Sequence, residues 1–315
     1  MRFRPIPAVL ATLAALVLSS AYAADSDFNG RWDLEVHKTP ADKAWWLEIT
    51  GAGTPQIKGR FVGFPGGSLN DVPDPKIENA VLRFSWVDKK NHLNYEIHYV
   101  NGALEGEMTG SQGNLKFTGR GAPVIDEHDD GTWAKSKAIT LFNGKDLSGW
   151  TGLKSPEAAG WAVENGILKS TGHADDLITR DKYWNFELHI EYNVAAHSNS
   201  GVGLRGRYEV QIMDDFGRPP GLHNTGTLYT RIVPPENYGK AAGQWQTLEI
   251  RLVGMEVTGT LNGHKLYDNG VIEGLTGIAF DPFEGQPGAL ELQGDHGAVE
   301  FRNIVLTPLV KRNGK

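Results

Sequence analysis

Short segments in which apolar and polar residues alternate recur along most of the chain. Clear examples are 45–49, 82–86, 95–99, 186–192 and 248–252. A period of two residues is the pattern of a β-strand with one buried face. Gly-rich turns separate the segments, and the Asn262-Gly263 pair is a strong hairpin signal. The sequence therefore predicts an all-β protein built from many short antiparallel strands.

A polar, acidic and aperiodic stretch at 123–137 separates two regions of such strands and is typical of a linker. The spacing of strands and turns in residues 24–122 predicts a small antiparallel β-barrel or sandwich of unassigned role. Residues 138–310 carry more strands without helical periods. This second region predicts a two-sheet sandwich of the jelly-roll kind.

The first 23 residues have the pattern of a secretory signal peptide. Arg2 and Arg4 precede an apolar run over 8–18, and the small-x-small sequence 21–23 follows it. The run is shorter than the roughly 20 residues that span a bilayer, which argues against an uncleaved anchor. We therefore expect cleavage after Ala23, a periplasmic or secreted protein, and no membrane insertion after cleavage.

Composition narrows the candidate chemistry. The chain has no Cys, which excludes disulfides, thiolate metal sites and Cys nucleophiles. Its 31 Lys and Arg against 38 Asp and Glu give a net charge of −7, and no basic stripe stands out. Nucleic acid is therefore not an expected partner. Neither a phosphate-binding loop nor a Gly-x-Ser-x-Gly elbow is present.

The stretch 199–215 carries the most informative alternation. Its even positions are apolar and its odd positions are small or polar. For two strands to send the even set into one core, Leu204 must pair with Tyr208 across a three-residue turn. The opposite face then carries Arg205, Glu209 and Gln211 along a polar groove. The bland alternative is a cross-strand ion pair of Arg205 with Glu209 on a solvated face.

The spacing Glu209-x-Gln211-x-x-Asp214 resembles the catalytic strand of laminarinase-type glucanases, which are concanavalin-like sandwiches with the pattern Glu-x-Asp-x-x-Glu. Asp214 follows the strand, where a bulge could bring its carboxylate onto the same face. Retaining hydrolysis uses two carboxyls about 5–5.5 Å apart, and the shorter Asp departs from that pattern. A conventional endoglucanase therefore stays an alternative.

An ordered set of motifs over about 138–310 resembles the 3-keto-disaccharide hydrolase domain family. The motifs are 141–150, Asn199-Ser200-Gly201 with Arg205, 208–212 with Asp214, 226–229, 243–245, 261–263, 292–297 and 301–304. The resemblance implies a concanavalin-like jelly roll and cleavage of glycosides oxidised to a ketone at sugar C3. It does not reach residues 24–122.

In such a reaction a base removes the C2 proton, the enolate expels the group at C1, and water adds back. The candidate bases are Glu209, Asp214 and His296. The ketone oxygen needs a positive group, for which Arg205 or a divalent metal ion are the candidates. No cofactor is otherwise implied.

We expect a carbohydrate substrate to contact further polar and aromatic residues. The candidate substrate-binding residues are Asn199, Gln211, His223, Tyr229, Trp245 and Gln293. Tyr229 and Trp245 offer flat apolar faces for sugars, although core packing is the alternative for Trp245. The run 173–176 resembles an acidic metal cluster only faintly. A non-catalytic carbohydrate-binding module of the same fold is the alternative to an enzyme.

Overall fold

The structure, a computed structural model, describes residues 24–37, 44–64 and 66–312. Within these ranges it holds 23 β-strands and one 3-10 helix, Asp25–Phe28. The predicted all-β class is therefore confirmed. No helix in the described part is long and apolar enough to cross a membrane. The predicted signal peptide, 1–23, lies outside the described residues.

The first nine strands form one antiparallel sheet. They are β1 Gly30–Val36, β2 Ala44–Thr50, β3 Lys58–Val62, β4 Asn70–Asp71, β5 Lys76–Glu78, β6 Val81–Val87, β7 His92–Val100, β8 Ala103–Gly110 and β9 Leu115–Gly121. Their order in the sheet is β4-β3-β2-β1-β9-β8-β7-β6-β5. The strands predicted at 45–49, 82–86 and 95–99 lie in β2, β6 and β7.

This sheet curls until its two ends approach each other. Phe61 of β3 and Phe84 of β6 are far apart in the strand order, yet their ring centroids are only 5.8 Å apart. Both belong to one aromatic-rich core with Trp45 and Tyr95. Of the two predicted forms, the unit therefore has that of a barrel, and we call it the barrel.

The remaining strands build the second unit. They are β10 Trp133–Lys135, β11 Ile139–Thr140, β12 Trp150–Gly152, β13 Trp161–Glu164, β14 Ile167–Ser170, β15 Leu177–Thr179, β16 Phe186–Val194, β17 Asn199–Leu204, β18 Tyr208–Met213, β19 Gln246–Val253, β20 Glu256–Leu261, β21 His264–Val271, β22 Glu291–Leu292 and β23 Val299–Lys311. The predicted hairpin turn at Asn262-Gly263 joins β20 to β21, and both residues have the positive φ that such a turn needs.

Two antiparallel sheets face each other in this unit, as a jelly-roll sandwich does. One has the order β13-β14-β23-β16-β19-β20-β21, with β10 and β11 also paired to β23. The other has the order β12-β15-β22-β17-β18. Ile190 and Leu248 from the first sheet share one buried core with Val202 and Leu292 from the second. The five-stranded sheet carries the polar face described below.

The barrel packs directly on the sandwich through β2. Alternate residues of this strand point to opposite sides, so Trp45 lies in the barrel core and Trp46 in the sandwich core. Trp46 is fully buried, and its indole lies against Gly274, where a β-carbon would come within 2.5 Å. Arg31 and Arg60 add ion pairs to Glu273 across the same junction.

The segment predicted as a linker, 123–137, runs between the units and is attached to the sandwich. Glu127 accepts hydrogen bonds of 2.8 Å from both Trp184 Nε1 and Asn185 Nδ2. Strand β10 lies within the segment and pairs with β23. The segment is therefore an extended stretch of chain that side-chain contacts and one short strand hold against the sandwich.

Candidate functional site

The hairpin β17–β18 has the register that alternation predicts. Leu204 pairs with Tyr208 and Val202 with Val210, which leaves 205–207 as a three-residue turn. The apolar even positions are fully buried in the sandwich core. The odd positions therefore face the other side of the five-stranded sheet.

That polar face is organised by a row of residues across neighbouring strands. Gly203 of β17 pairs with Glu209 of β18 on one side and with Glu291 of β22 on the other. Tyr229 continues the row, because its N–H donates to the Glu209 carbonyl at 2.9 Å and Leu228 bridges Val210. Two acids and a tyrosine thus share one face, with a glycine between the acids.

Glycines on β17 make room for both carboxyl groups. A β-carbon at Gly201 would lie 2.6 Å from Glu209 Oε1, and one at Gly203 would lie 2.6 Å from Glu291 Oε2. Real β-carbons essentially never approach so closely. The side chains of Glu209 and Glu291 therefore lie over a floor that only glycine provides.

The expected open groove is instead a largely covered face of the sheet. Glu209 and Gln211 are only 4% and 2% exposed. Residues 226–229 run along the free edge of β18 and bond to the backbone of both. Thr276 lies along the same edge, where its Oγ1 accepts the Glu209 N–H at 2.9 Å. The prediction was right about the face and wrong about its openness, because distant loops cover it.

Burial raises the pKa of both glutamates. It raises the pKa of Glu209 from its ordinary 4.5 to about 8; the charges of Asp176 and Asp295 add to the rise and His296 opposes it. Burial also raises the pKa of Glu291 well above its usual range, with Asp176 and Glu209 adding to the effect.

Asp295 and His296 form a hydrogen-bonded pair at one end of this face. His296 Nδ1 bonds to Asp295 Oδ1, which raises the pKa of the imidazole and lowers that of the carboxyl. Their side chains are 53% and 35% exposed, so this end meets solvent. Asp176 Oδ1 accepts the Gly294 N–H at 2.9 Å and holds the turn, and burial raises the pKa of Asp176 to about 6.

Several buried acceptors near this face have no protein partner in the described part of the chain. They are both carboxyl oxygens of Glu291 and the side-chain oxygens of Asn199, Gln211 and Gln293. Gln211 is fixed from its other end, since its Nε2 donates to the His223 carbonyl at 3.1 Å. Buried polar atoms normally have partners, so such a set points to a ligand rich in hydroxyl donors or to ordered water.

His223 and Tyr229 form the opposite rim. Their ring centroids are 5.0 Å apart in an edge-to-face arrangement. Burial raises the pKa of Tyr229, and the charge of Glu209 contributes, so the phenol lies close enough to feel that carboxyl. The structure thus brings together Glu209, His296 and five of the six predicted substrate-binding residues.

Arg205 requires a correction, because it does not face Glu209. Its guanidinium donates to the carbonyls of Trp184 and Gly254 at 2.7 Å and to Asn185 Oδ1 at 3.0 Å. It stacks on the Trp184 ring at 3.7 Å and is fully buried. Alternation ends at the turn, where Arg205 has a φ of 57°, so the side chain leaves the polar face. The ion pair with Glu209 is likewise absent from the described residues.

Asp214 and Trp245 also lie elsewhere. No bulge turns Asp214 onto the polar face; its Oδ2 accepts the His197 N–H at 2.8 Å and fixes the loop before β17. It is therefore not placed as the second acid of a glucanase strand. Trp245 precedes β19 of the other sheet and stacks under Arg302 at 4.0 Å, outside the sandwich core.

Sequence reasoning missed Glu291 and gave Asp176 little weight. The alternation of Glu291 and Gln293 with Leu290 and Leu292 was the available signal for the first. From the sequence, a divalent metal ion is a candidate partner of the ketone oxygen, and the structure shows whether the residues present could bind one. Within the described ranges, no three His, Asp or Glu side chains are grouped to hold one ion. We therefore derive no step through a metal.

Known proteins are similar to the sandwich unit of this chain. Residues 137–307 match the family model described as the 3-keto-alpha-glucoside-1,2-lyase-like domain. A "3-keto-disaccharide hydrolase" of Bacteroides thetaiotaomicron is 36% identical over 171 residues, which cover 43% of this chain and 57% of the relative. The chain thus spans little more than half of that relative's length.

Solved structures from Parabacteroides distasonis are also similar. Two that carry the name "putative glycosyl hydrolase" are 25% and 29% identical, each with a TM-score of 0.48. The matches cover 55% and 58% of this chain and 94% and 90% of those chains. With its family match over more than half of its length, the chain belongs to the 3-keto-alpha-glucoside-1,2-lyase-like domain family.

Proposed function

We propose that this protein breaks glycosidic bonds in carbohydrates, specifically in glycosides whose sugar carries a ketone at C3. Family membership and the hydrolase relative support the coarser statement. The observation that carries the proposal is the row of two buried acids, Glu209 and Glu291, beside the Asp295–His296 pair. The unpartnered oxygens around them suit sugar hydroxyls.

Glu209 is the base in this proposal. Its ionised form takes the C2 proton, which the C3 ketone acidifies, and the C–H electron pair moves onto the ketone oxygen as an enolate. A general base works best when its pKa lies near the working pH. A pKa of about 8 gives Glu209 that property, whereas an exposed glutamate would be a much weaker base.

Glu291 takes the role that the sequence assigned to Arg205. Burial raises the pKa of its carboxyl well above the usual range, which favours the protonated form. A neutral acid can donate a hydrogen bond to the ketone oxygen while negative charge develops there. The site thus stabilises an enolate without a buried cation.

The enolate then collapses back to the ketone and expels the oxygen at C1. His296, whose pKa the hydrogen bond to Asp295 raises, donates a proton to that oxygen in its imidazolium form. Elimination leaves a double bond between C1 and C2, conjugated with the ketone. Water adds its hydroxyl at C1 and gives its other proton to His296, which thereby regains the proton that it donated. C2 regains a proton from Glu209, so the net reaction is hydrolysis.

Paired assays test this proposal. Purified full-length protein is incubated with a 4-nitrophenyl 3-keto-glucoside and with the unoxidised glucoside. We expect release of nitrophenol from the ketone alone. Equal release from both, or hydrolysis of laminarin, would replace the proposal with a conventional glycosidase. Binding of the ketone without release would replace it with a carbohydrate-binding module.

A further inference from the structure

The barrel reaches the candidate site through a short loop, residues 66–69, which precedes β4. Ser68 Oγ lies 3.1 Å from His223 Nε2. Ser68 also counters part of the rise in the pKa of Tyr229. One barrel side chain therefore contacts His223, whose ring lies against that of Tyr229.

The loop is held in place by its backbone. The Leu69 N–H donates to Thr230 Oγ1 at 3.2 Å, next to Tyr229 in the chain. Gly67 packs on Gly277, where a β-carbon at Gly67 would come within 2.0 Å of the Gly277 Cα. Gly277 follows Thr276, which accepts the Glu209 N–H. The same short segment thus contacts the barrel loop and the central acid.

The position of the loop sets how much ligand it can contact. The row from Glu291 through Gly203 and Glu209 to Tyr229 crosses three strand spacings, or about 14 Å. Ser68 lies beyond the Tyr229 end of this row. A sugar ring over the two acids would leave Ser68 untouched, whereas a second ring on the Tyr229 side would reach the rim that Ser68 holds.

We propose that the barrel supplies one wall of the glycoside site, and that Ser68 is a positioning residue which fixes His223 and Tyr229 for ligands larger than one sugar. This inference rests on the proposed function. It gives the barrel a role in substrate selection, which the family match over 137–307 does not assign.

The test compares Ser68→Ala, Ser68→Thr and a control, Ser85→Ala, whose hydroxyl bonds Asn94 on the barrel surface. Substrates are methyl 3-keto-glucoside and a 3-keto-disaccharide. We expect Ser68→Ala to raise KM for the disaccharide about 3- to 10-fold, with kcat and the methyl glycoside changed less than about twofold. Ser68→Thr keeps the hydroxyl and restores KM, and the control matches the wild type.

Equal changes on both substrates, or no change on either, would overturn the inference. Gly67→Ala gives a second readout, because its β-carbon displaces the loop; it should reproduce the disaccharide-specific effect. Calorimetric binding of the unoxidised disaccharide and the NMR shifts of the His223 ring are followed in parallel. If the wild type cleaves neither ketone, the proposed function fails, and these two measurements alone decide the role of Ser68.

Discussion

The carboxyl of Glu291 lies over Gly203, with Oε2 in the space that a β-carbon at residue 203 would need. The glycine is therefore part of the site although it carries no side chain. Gly203→Ala moves the acid, because the new β-carbon would also lie 2.8 Å from the Glu291 Cβ. A misplacement of about 1 Å can cost on the order of 100-fold in rate.

We expect kcat/KM for Gly203→Ala to fall by about 100-fold, with a loss of about 1–3 kcal/mol in stability from overpacking. Gly121→Ala is the matched control, since nothing lies within 4 Å of its β-carbon. Steady-state kinetics and urea unfolding measure the two effects. Full activity of Gly203→Ala would show that the glycine floor is not needed.

A variant that cannot ionise at residue 209 distinguishes a role of Glu209 in catalysis from a role in binding. Glu209→Gln keeps the shape and removes the base, so kcat should fall by about 10²–10⁴-fold, the usual contribution of a general base. Affinity for the substrate should change much less. Glu249→Gln, on the outer sheet and 60% exposed, is the control. Equal losses in kcat and binding would make Glu209 a ligand-binding group only.

The pH profile reports the buried acid. Because Glu209 must be ionised and its pKa is about 8, kcat/KM should rise with pH along a limb whose midpoint lies near 8. Loss of the protons that His296 and Glu291 donate should give the profile a descending limb. The negative charge of Asp176 raises the pKa of Glu209, so Asp176→Asn should move this midpoint to lower pH. A wild-type midpoint near the ordinary 4.5 would contradict the account.

The alternation over 199–215 predicted the core positions and the hairpin register correctly, because both follow from a local period of two. Glu291 reaches the site by pairing with Gly203 across 88 residues of chain, which no local pattern encodes. Arg205 was misplaced because alternation stops where the turn begins. Ser68 comes from a different unit, and the docking of that unit on the sandwich brings it near.

Arg205 is expected to affect stability rather than chemistry. The Arg205 guanidinium is fully buried, donates three hydrogen bonds and stacks on Trp184. Arg205→Lys removes this geometry, because an ammonium group cannot reproduce it. We expect a loss of about 3 kcal/mol in unfolding free energy, typical of a broken buried network. The folded fraction should keep the wild-type kcat, and a large fall in kcat would return Arg205 to the site.

Asp33, a buried acid at the junction of the barrel and the sandwich, makes the stability of the fold depend on pH. Burial next to Glu284 raises the pKa of Asp33 from 3.8 to about 8, and Asp33 Oδ2 accepts the Glu284 N–H at 3.1 Å. A raised acid pKa stabilises the fold below pH 3.8, and this stability is lost as pH rises toward 8. Asp33→Asn should therefore melt at a higher temperature than the wild type at pH 8. An unchanged or lower melting temperature would contradict this.

Transfer of the C2 proton tests the central claim most directly. The wild type cleaves a 3-keto-glycoside in D₂O, and the deuterium at C2 of the released sugar is measured by mass spectrometry. Free 3-keto sugar in enzyme-free buffer corrects for spontaneous exchange. Abstraction by Glu209, elimination and hydration predict C2 deuterium well above that control in the released sugar. Retention of the original C2 proton at every turnover, together with equal cleavage rates for substrates carrying hydrogen or deuterium at C2, would contradict the account.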